Sequence, residues 1–340
     1  VRVTEERTVL FDTTVPQMLA PRLLVVSAWQ RRCMRGRARV RLDCRSRATA
    51  VPEQEPEQHQ RLFSDDLVSG VLTVRQSAQR GAYRFGLDAL LLATDLPDGL
   101  LQRAESPLVL DLGAGSGVVG LCVASRHAHC TVLAVERQLA LAELARHNAA
   151  AAGFSHRMAV CCADVRDQSA WLSSQCQSNR VTLLLCNPPF YYLQPAHSTA
   201  AAVQSQRLAA RHELHGTLGD FVAAASAVHA TAAKFVIPPQ RLPDLLTALP
   251  SGYNISSLRF VHAAPGEEAY LVEVFVSRSG SPMGVKAPLF VRGEDGRYTR
   301  QVALRIANAA RADGRLASEA EVQHIRDTCV RRTHADKDNT

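Results

Sequence analysis

The run Leu108-Val109-Leu110-Asp111-Leu112 ends in Gly113-Ala114-Gly115-Ser116-Gly117, and an apolar stretch starts directly afterwards at Val118. The first segment has the length and apolar content of a strand buried on both faces. The glycines allow a tight turn and let a ligand approach backbone N–H groups closely. Strand, glycine turn and helix in that order point to a parallel α/β sheet. The chain repeats the alternation. Val132–Glu136, Met158–Cys161, Val181–Cys186 and Lys234–Ile237 read as further strands. Residues 138 to about 152 read as a helix stopped by Gly153, and Ala89–Ala93 as an apolar helix. Leu72–Val74 is a short strand candidate; Tyr270–Ser277 alternates and is expected to pair antiparallel with Ser257–His262.

The glycine turn admits two cofactors. Gly115-Ser116-Gly117-Val118-Val119-Gly120 fits G-x-G-x-x-G, and Glu136 ends the next strand, as a nicotinamide dinucleotide would require. Asp111 stands just before the turn, where it would repel a pyrophosphate but could bind the cationic amino group of a methionine moiety. That favours S-adenosylmethionine, cradled by Gly113, Gly115 and Gly117, with the Glu136 carboxylate on both ribose hydroxyls. Asp164, after the third strand, can accept a hydrogen bond from the cofactor adenine or cap a helix. Asp88 precedes an apolar helix and can cap it or close the cofactor pocket.

Asn187-Pro188-Pro189-Phe190 follows the strand Val181–Cys186 and has no task in a dehydrogenase. An exocyclic amine conjugated to a ring or carbonyl is a poor nucleophile, because its lone pair is delocalised. Acceptors that hold both N–H groups out of plane restore it. Asn187 offers a side-chain oxygen and Pro188 a backbone carbonyl. Two prolines fix φ and drive their predecessors towards extended backbone, which preorganises the acceptors. Phe190 offers a face for stacking a base or amide plane. Tyr191 and Tyr192 can extend that platform or pack the loop.

The net charge of +7 is unevenly placed. Residues 1–60 carry 11 Arg and Lys against 7 Asp and Glu, residues 61–296 carry 19 against 19, and residues 297–340 carry 9 against 6. Three domains are expected: 1–60, a disordered basic extension with a polar linker at Pro52–Gln58; 61–296, the catalytic domain; and 297–340, a helix and polar tail. The excess charge thus lies outside the part that reads as catalytic. Nine cysteines without metal-ligand spacing read as reduced thiols of a cytoplasmic protein, and no metal is expected. No apolar run reaches the length of a membrane span.

These residues together resemble the bacterial tRNA adenine-N6 methyltransferases that modify the adenine 3′ of the anticodon in valine tRNA. The resemblance runs from about Leu62 to about Arg305. It includes Asp66-Leu67-Val68-Ser69-Gly70, Tyr83-Arg84-Phe85-Gly86-Leu87-Asp88, Asp111–Gly117, Asn187–Phe190, Ala210-Arg211-His212-Glu213 and Gly296-Arg297-Tyr298-Thr299. It implies a Rossmann-like class I methyltransferase fold: a seven-stranded, mostly parallel sheet with helices on both faces. It also implies S-adenosylmethionine as cofactor, tRNA as partner and a monomer. Asn187, Pro188, Pro189 and Phe190 would then be catalytic, and Tyr191 and Arg211 would touch substrate. Residues 211–213 can equally start the helix through Phe221-Val222-Ala223. Release-factor glutamine methyltransferases and adenine methyltransferases of ribosomal RNA share the tetrad, and a non-catalytic RNA-binding protein on the same fold is a third alternative.

Overall fold

The computed structural model describes residues 63–335, apart from 69–70, 79–81, 98, 176–180, 190–215, 279, 281 and 313–314. Residues 1–60, the expected basic extension and linker, lie outside the described residues. Five strands run parallel in the order β5 (Met158–Cys162), β4 (Thr131–Glu136), β3 (Leu108–Leu112), β6 (Val181–Cys186), β7 (Ala232–Ile237). β9 (Ala269–Ser277) continues the sheet antiparallel to β7, and β8 (Asn254–His262) lies antiparallel beside β9. This is the expected seven-stranded, mostly parallel sheet. Two two-residue strands, β10 (Gly284–Val285) and β11 (Leu289–Phe290), add to the edge of β8.

Every residue of β3, β6 and β7 is buried, which explains their nearly unbroken apolar runs. Alternate side chains of β3 enter different cores. Val109 joins the core beneath α1 (Leu87–Ala93), α2 (Val118–Arg126) and α7 (Arg300–Asn308). Leu108, Leu110 and Leu112 join the other, with Trp171 of α4 (Gln168–Gln175), Phe221 of α5 (Leu218–Ala227) and Leu245 of α6 (Leu242–Ala248). The sheet is therefore covered on both faces. α5 starts at a reciprocal cap: Thr217 Oγ1 accepts from the Asp220 amide, and Asp220 accepts from the Thr217 amide. The helix through Phe221 thus begins at Leu218 and not at Arg211–Glu213, which lie outside the described residues.

The chain runs from β3 outward through β4 and α3 (Leu139–Ala151) to β5, then returns to β6 on the opposite side of β3. Such a reversal opens a crevice at the carboxyl ends of the strands. Leu112 and Cys186 are register partners, so Gly113 and Asn187 leave neighbouring strands side by side. Ahead of this sheet, β1 (Phe63–Val68) pairs antiparallel with β2 (Leu72–Ser77). Asn148 of α3 fastens β2 to the glycine turn. Its amide exchanges hydrogen bonds with the Arg75 backbone at 3.0 Å each way and donates to the Ser116 carbonyl at 2.9 Å.

The C-terminal segment clusters with the sheet in one compact unit, residues 52–340. α7 is capped by Thr299, whose hydroxyl accepts from the Val302 amide, and buries Val302, Ala303 and Ala307. α8 (Glu319–Ala335) packs on it through Val322. Arg305 of α7 forms a two-pronged bond to Glu273 of β9 at 2.6 and 2.8 Å and donates to the Leu91 carbonyl at 2.9 Å. Lys234 of β7 reaches the same Glu273 at 2.8 Å and donates to the Leu91 and Thr94 carbonyls at 2.7 and 2.5 Å. Two cations thus hold the carbonyl-rich end of α1, where a positive charge is favoured.

Candidate active site

The glycine turn is shaped by three left-handed residues: Gly113 (φ 71°), Gly115 (φ 57°) and Gly117 (φ 85°). The Gly113 and Ala114 amides donate to the Val135 carbonyl at 2.9 and 3.1 Å. The Gly115 amide donates to Glu136 Oε2 at 2.9 Å, while Oε1 accepts from the Gln138 amide at 2.7 Å. Glu136 therefore spans the ends of β3 and β4, and burial raises its pKa against the pull of those amides. Gly113, Gly115 and Glu136 all line a cavity of about 650 Å³ at the carboxyl ends of the strands. Gly117 does not. A Cβ there would meet Ala145 Cβ and Met158 Cε at 3.1 Å, so Gly117 lets α2 pack closely.

Two acidic residues expected to contact the cofactor are engaged by groups of the protein itself. Asp111 is 1% exposed and absent from the cavity wall. Its Oδ2 accepts from the Gly120 amide at 3.0 Å, which ties the first turn of α2 to β3, and burial pushes its pKa up to about 7. Asp164 accepts from Arg166 through Nη2 at 2.7 Å and from Arg137 Nε at 3.0 Å. The Arg166 hydrogen bond is the main cause holding its pKa at about 2. Its neighbours Ala163 and Val165 line the cavity; its carboxylate is committed to the arginines beside it. Sequence alone places a carboxylate at a strand end but leaves open which way it turns.

Asn187, Pro188 and Pro189 form the opposite wall, together with Asp88. Asp88 is the second residue of α1, and Asn187 follows β6, so 99 positions separate them. Asn187 Nδ2 donates to Asp88 Oδ2 at 2.6 Å. Asn187 Oδ1 is buried and has no hydrogen-bond partner among the described residues. Asp88 was expected at the cofactor pocket; it lines the cavity, but its bond is to the tetrad. Phe190, Tyr191 and Arg211 lie outside the described residues.

Several wall residues carried no expectation. Tyr83 lies over the turn, with Cε1 2.8 Å from where a Gly115 Cβ would stand. Phe221 of α5 packs beside Gly113, and Tyr270 enters from the start of β9. Burial, with the Asp88 charge added, pushes the Tyr270 phenol up to about 12. Tyr83 sits in one of the segments that carry the resemblance, Tyr83–Asp88, which was a usable signal. Tyr270 gave none, because only the sheet order brings β9 to the crevice. Among the described residues, no three His, Cys, Asp or Glu side chains gather to hold a metal ion, and no helix is long and apolar enough to cross a membrane.

Comparison with known proteins adds the following. Residues 86–223 match the family model of the methyltransferase small domain. A tRNA1(Val) (adenine(37)-N6)-methyltransferase of Porphyromonas gingivalis is 34% identical over 169 residues, covering 48% of this chain and 62% of the relative. A protein of the same name from Klebsiella pneumoniae is 42% identical over 100 residues, 28% of this chain and 39% of the relative. One from Aeromonas hydrophila is 27% identical over 227 residues, 65% of this chain and 87% of the relative. The match thus spans less than two thirds of the length of the first of these.

Proposed function

We propose that this chain uses its methyltransferase small domain to transfer a methyl group from S-adenosylmethionine to the N6 amine of an adenine in tRNA, the adenine 3′ of the anticodon in valine tRNA. The observation that carries this reading is Asn187 Oδ1, a buried acceptor without a partner at the wall of a nucleoside-sized cavity. Leaving such an atom unpaired costs about 1–3 kcal/mol, and an incoming N–H relieves that cost. The names of the relatives point to the nucleic acid and the position.

The residues present fit the cofactor. Glu136 Oε2 accepts the Gly115 amide and Oε1 the Gln138 amide, and a carboxylate has further lone pairs for ribose hydroxyls. The Gly113–Gly115 backbone offers room that any Cβ would fill, and Leu141, Ala163 and Val165 supply an apolar slot for an adenine. A cavity of about 650 Å³ lies within the usual size of small-molecule sites. When bound, S-adenosylmethionine supplies an electrophilic methyl group on a sulfonium centre. The protein's part is positioning. Asn187 Oδ1 and the Pro188 carbonyl accept the two amine N–H groups and localise the nitrogen lone pair towards the methyl. Phe190, next in sequence, is assigned the stacking face. An adenine in a stacked loop must first leave its stack to reach these groups.

The test is incubation with labelled cofactor and, separately, valine tRNA, ribosomal RNA and a peptide release factor. Nucleoside mass spectrometry should find N6-methyladenine in the anticodon loop of the tRNA. Labelled release-factor glutamine with unmodified tRNA would transfer the function to the glutamine methyltransferases.

A further inference from the structure

We propose that Asp88 is the positioning residue of the amine clamp: it fixes the Asn187 amide so that Oδ1, and not the NH2 group, meets the substrate amine. The proposal rests on the methyl-transfer reading and deepens it. An asparagine amide is nearly symmetric in shape, and its two ends can exchange by a half-turn about the last side-chain bond. The wrong orientation would present two donors to an amine that is itself a donor. A carboxylate only accepts. The 2.6 Å contact from Asn187 to Asp88 Oδ2 therefore must come from Nδ2, and Oδ1 is turned away from Asp88. That oxygen is the one left buried and unpartnered. Nothing else described at the site fixes the amide in this way.

The surroundings hold Asp88 in place. α1 has only seven residues, but its far end is fastened by Lys234 and Arg305 through the Leu91 and Thr94 carbonyls. Its N-cap, Gly86, makes no side-chain cap bond. A Cβ on Gly86 would stand 2.6 Å from Asp88 Oδ1, so the absence of a side chain there makes room for the carboxylate. The backbone of Gly86 is extended (φ −118°) and acceptable to any residue, which leaves this close approach as the reason for glycine.

Four proteins test the proposal: the parent, Asp88→Ala, Asn187→Ala and the double variant, each as the full chain, with valine tRNA and S-adenosylmethionine. Asp88→Ala should slow single-turnover methyl transfer by about 10- to 100-fold, with cofactor affinity within about threefold of the parent. The double variant should be no slower than Asn187→Ala alone, because Asp88 acts only through Asn187. Asp88→Asn, which keeps an accepting oxygen, should recover most of the rate and guards against a folding defect. A cofactor affinity loss of tenfold or more in Asp88→Ala with the saturated rate retained would overturn the proposal in favour of a direct cofactor contact. Multiplying losses in the double variant would overturn it too.

A readout without turnover comes from side-chain amide NMR. The Asn187 Nδ2 protons should exchange slowly in the parent and fast in Asp88→Ala; equal exchange would refute the bond. If the parent transfers no methyl group to tRNA, the functional reading fails, and the amide signal decides alone whether Asp88 holds Asn187.

Discussion

At the scale of single residues, the carboxylates and amides around the cavity divide by what they touch. On the proposed reading Asn187 contacts the substrate amine and not the cofactor, so Asn187→Ala should leave cofactor affinity nearly intact while methyl transfer falls by about 10²–10³. That is the scale for removing one preorganised polar partner of a transition state, and single-turnover rates at saturating cofactor will show it. Asp111 acts on stability instead. Its folded pKa of about 7 lies above the ordinary 3.8. The folded state then holds the proton more tightly, so the contribution of Asp111 is full below about pH 4 and is lost as pH rises through about 7. Asp111→Asn keeps an oxygen for the Gly120 amide and carries no charge. It should melt like the parent near pH 4 and be more stable by about 2–4 kcal/mol at pH 8; thermal melts at both pH values check this. Asn187 and its prolines were legible because the chemistry lies in covalent neighbours. The Asp88–Asn187 bond was not, since nothing in sequence joins positions 99 apart. Asp111 and Asp164 stand at the expected strand ends, but their bonds to the Gly120 amide and to Arg137 and Arg166 could not be read from the sequence, because local pattern does not fix the direction of a side chain.

At the scale of elements, the glycine turn works through packing as much as through ligand approach. Gly117 caps α2 at φ 85°, and an added Cβ would crowd Ala145 and Met158 at 3.1 Å. Gly117→Ala should therefore cost about 1–3 kcal/mol, from backbone strain and the neighbours' displacement together. Thermal unfolding of the variant, with circular dichroism to confirm a folded chain, measures it; an unchanged melting temperature would show that α2 can shift freely. The buried strands β3, β4, β6 and β7 were readable because both faces are covered and their apolar runs barely break. β9 was readable from its alternation. β1 escaped because Ser64-Asp65-Asp66 interrupts its apolar residues, and its place comes from pairing with β2. β10 and β11 have two residues each, too few for any period. The start of α5 was misjudged although Thr217-Leu218-Gly219-Asp220 carries the capping-box spacing.

At the scale of the whole molecule, the C-terminal basic residues serve the fold. Arg297 pairs with Asp327, Arg300 with Glu319, Arg311 with Glu321 and Arg326 with Asp295, all near the surface, where each pair contributes little. Arg305 differs, because its partner Glu273 is buried and shared with the buried Lys234. The sequence offered Arg305 only as one charge in a basic tail; its task depends on α7 folding back across the sheet. Burial alone would push Glu273 up, but the Lys234 and Arg305 cations overcome it and hold the carboxyl at about 2, below its usual 4.5. Burial draws Lys234 down to about 8, which keeps it charged at neutral pH, so the acid limb belongs to Glu273. A depressed carboxyl pKa contributes stability that is present above about 4.5 and disappears as pH falls through about 2. Glu273→Gln removes that dependence and leaves the buried Lys234 and the half-buried Arg305 without this counter-charge, at a cost of about 3–5 kcal/mol near neutral pH. Its loss should reach the active site, because Lys234 and Arg305 both hold the far end of α1, the helix whose first turn carries Asp88 to Asn187. The expected result is a large drop in melting temperature at pH 7, a flatter melting profile between pH 5 and 2, and slower methyl transfer with cofactor affinity changed less. Arg300→Ala, which breaks a surface pair, should stay within about 0.5 kcal/mol of the parent. Equal stability of the Glu273→Gln and parent proteins would mean that α7 is held by its apolar face alone.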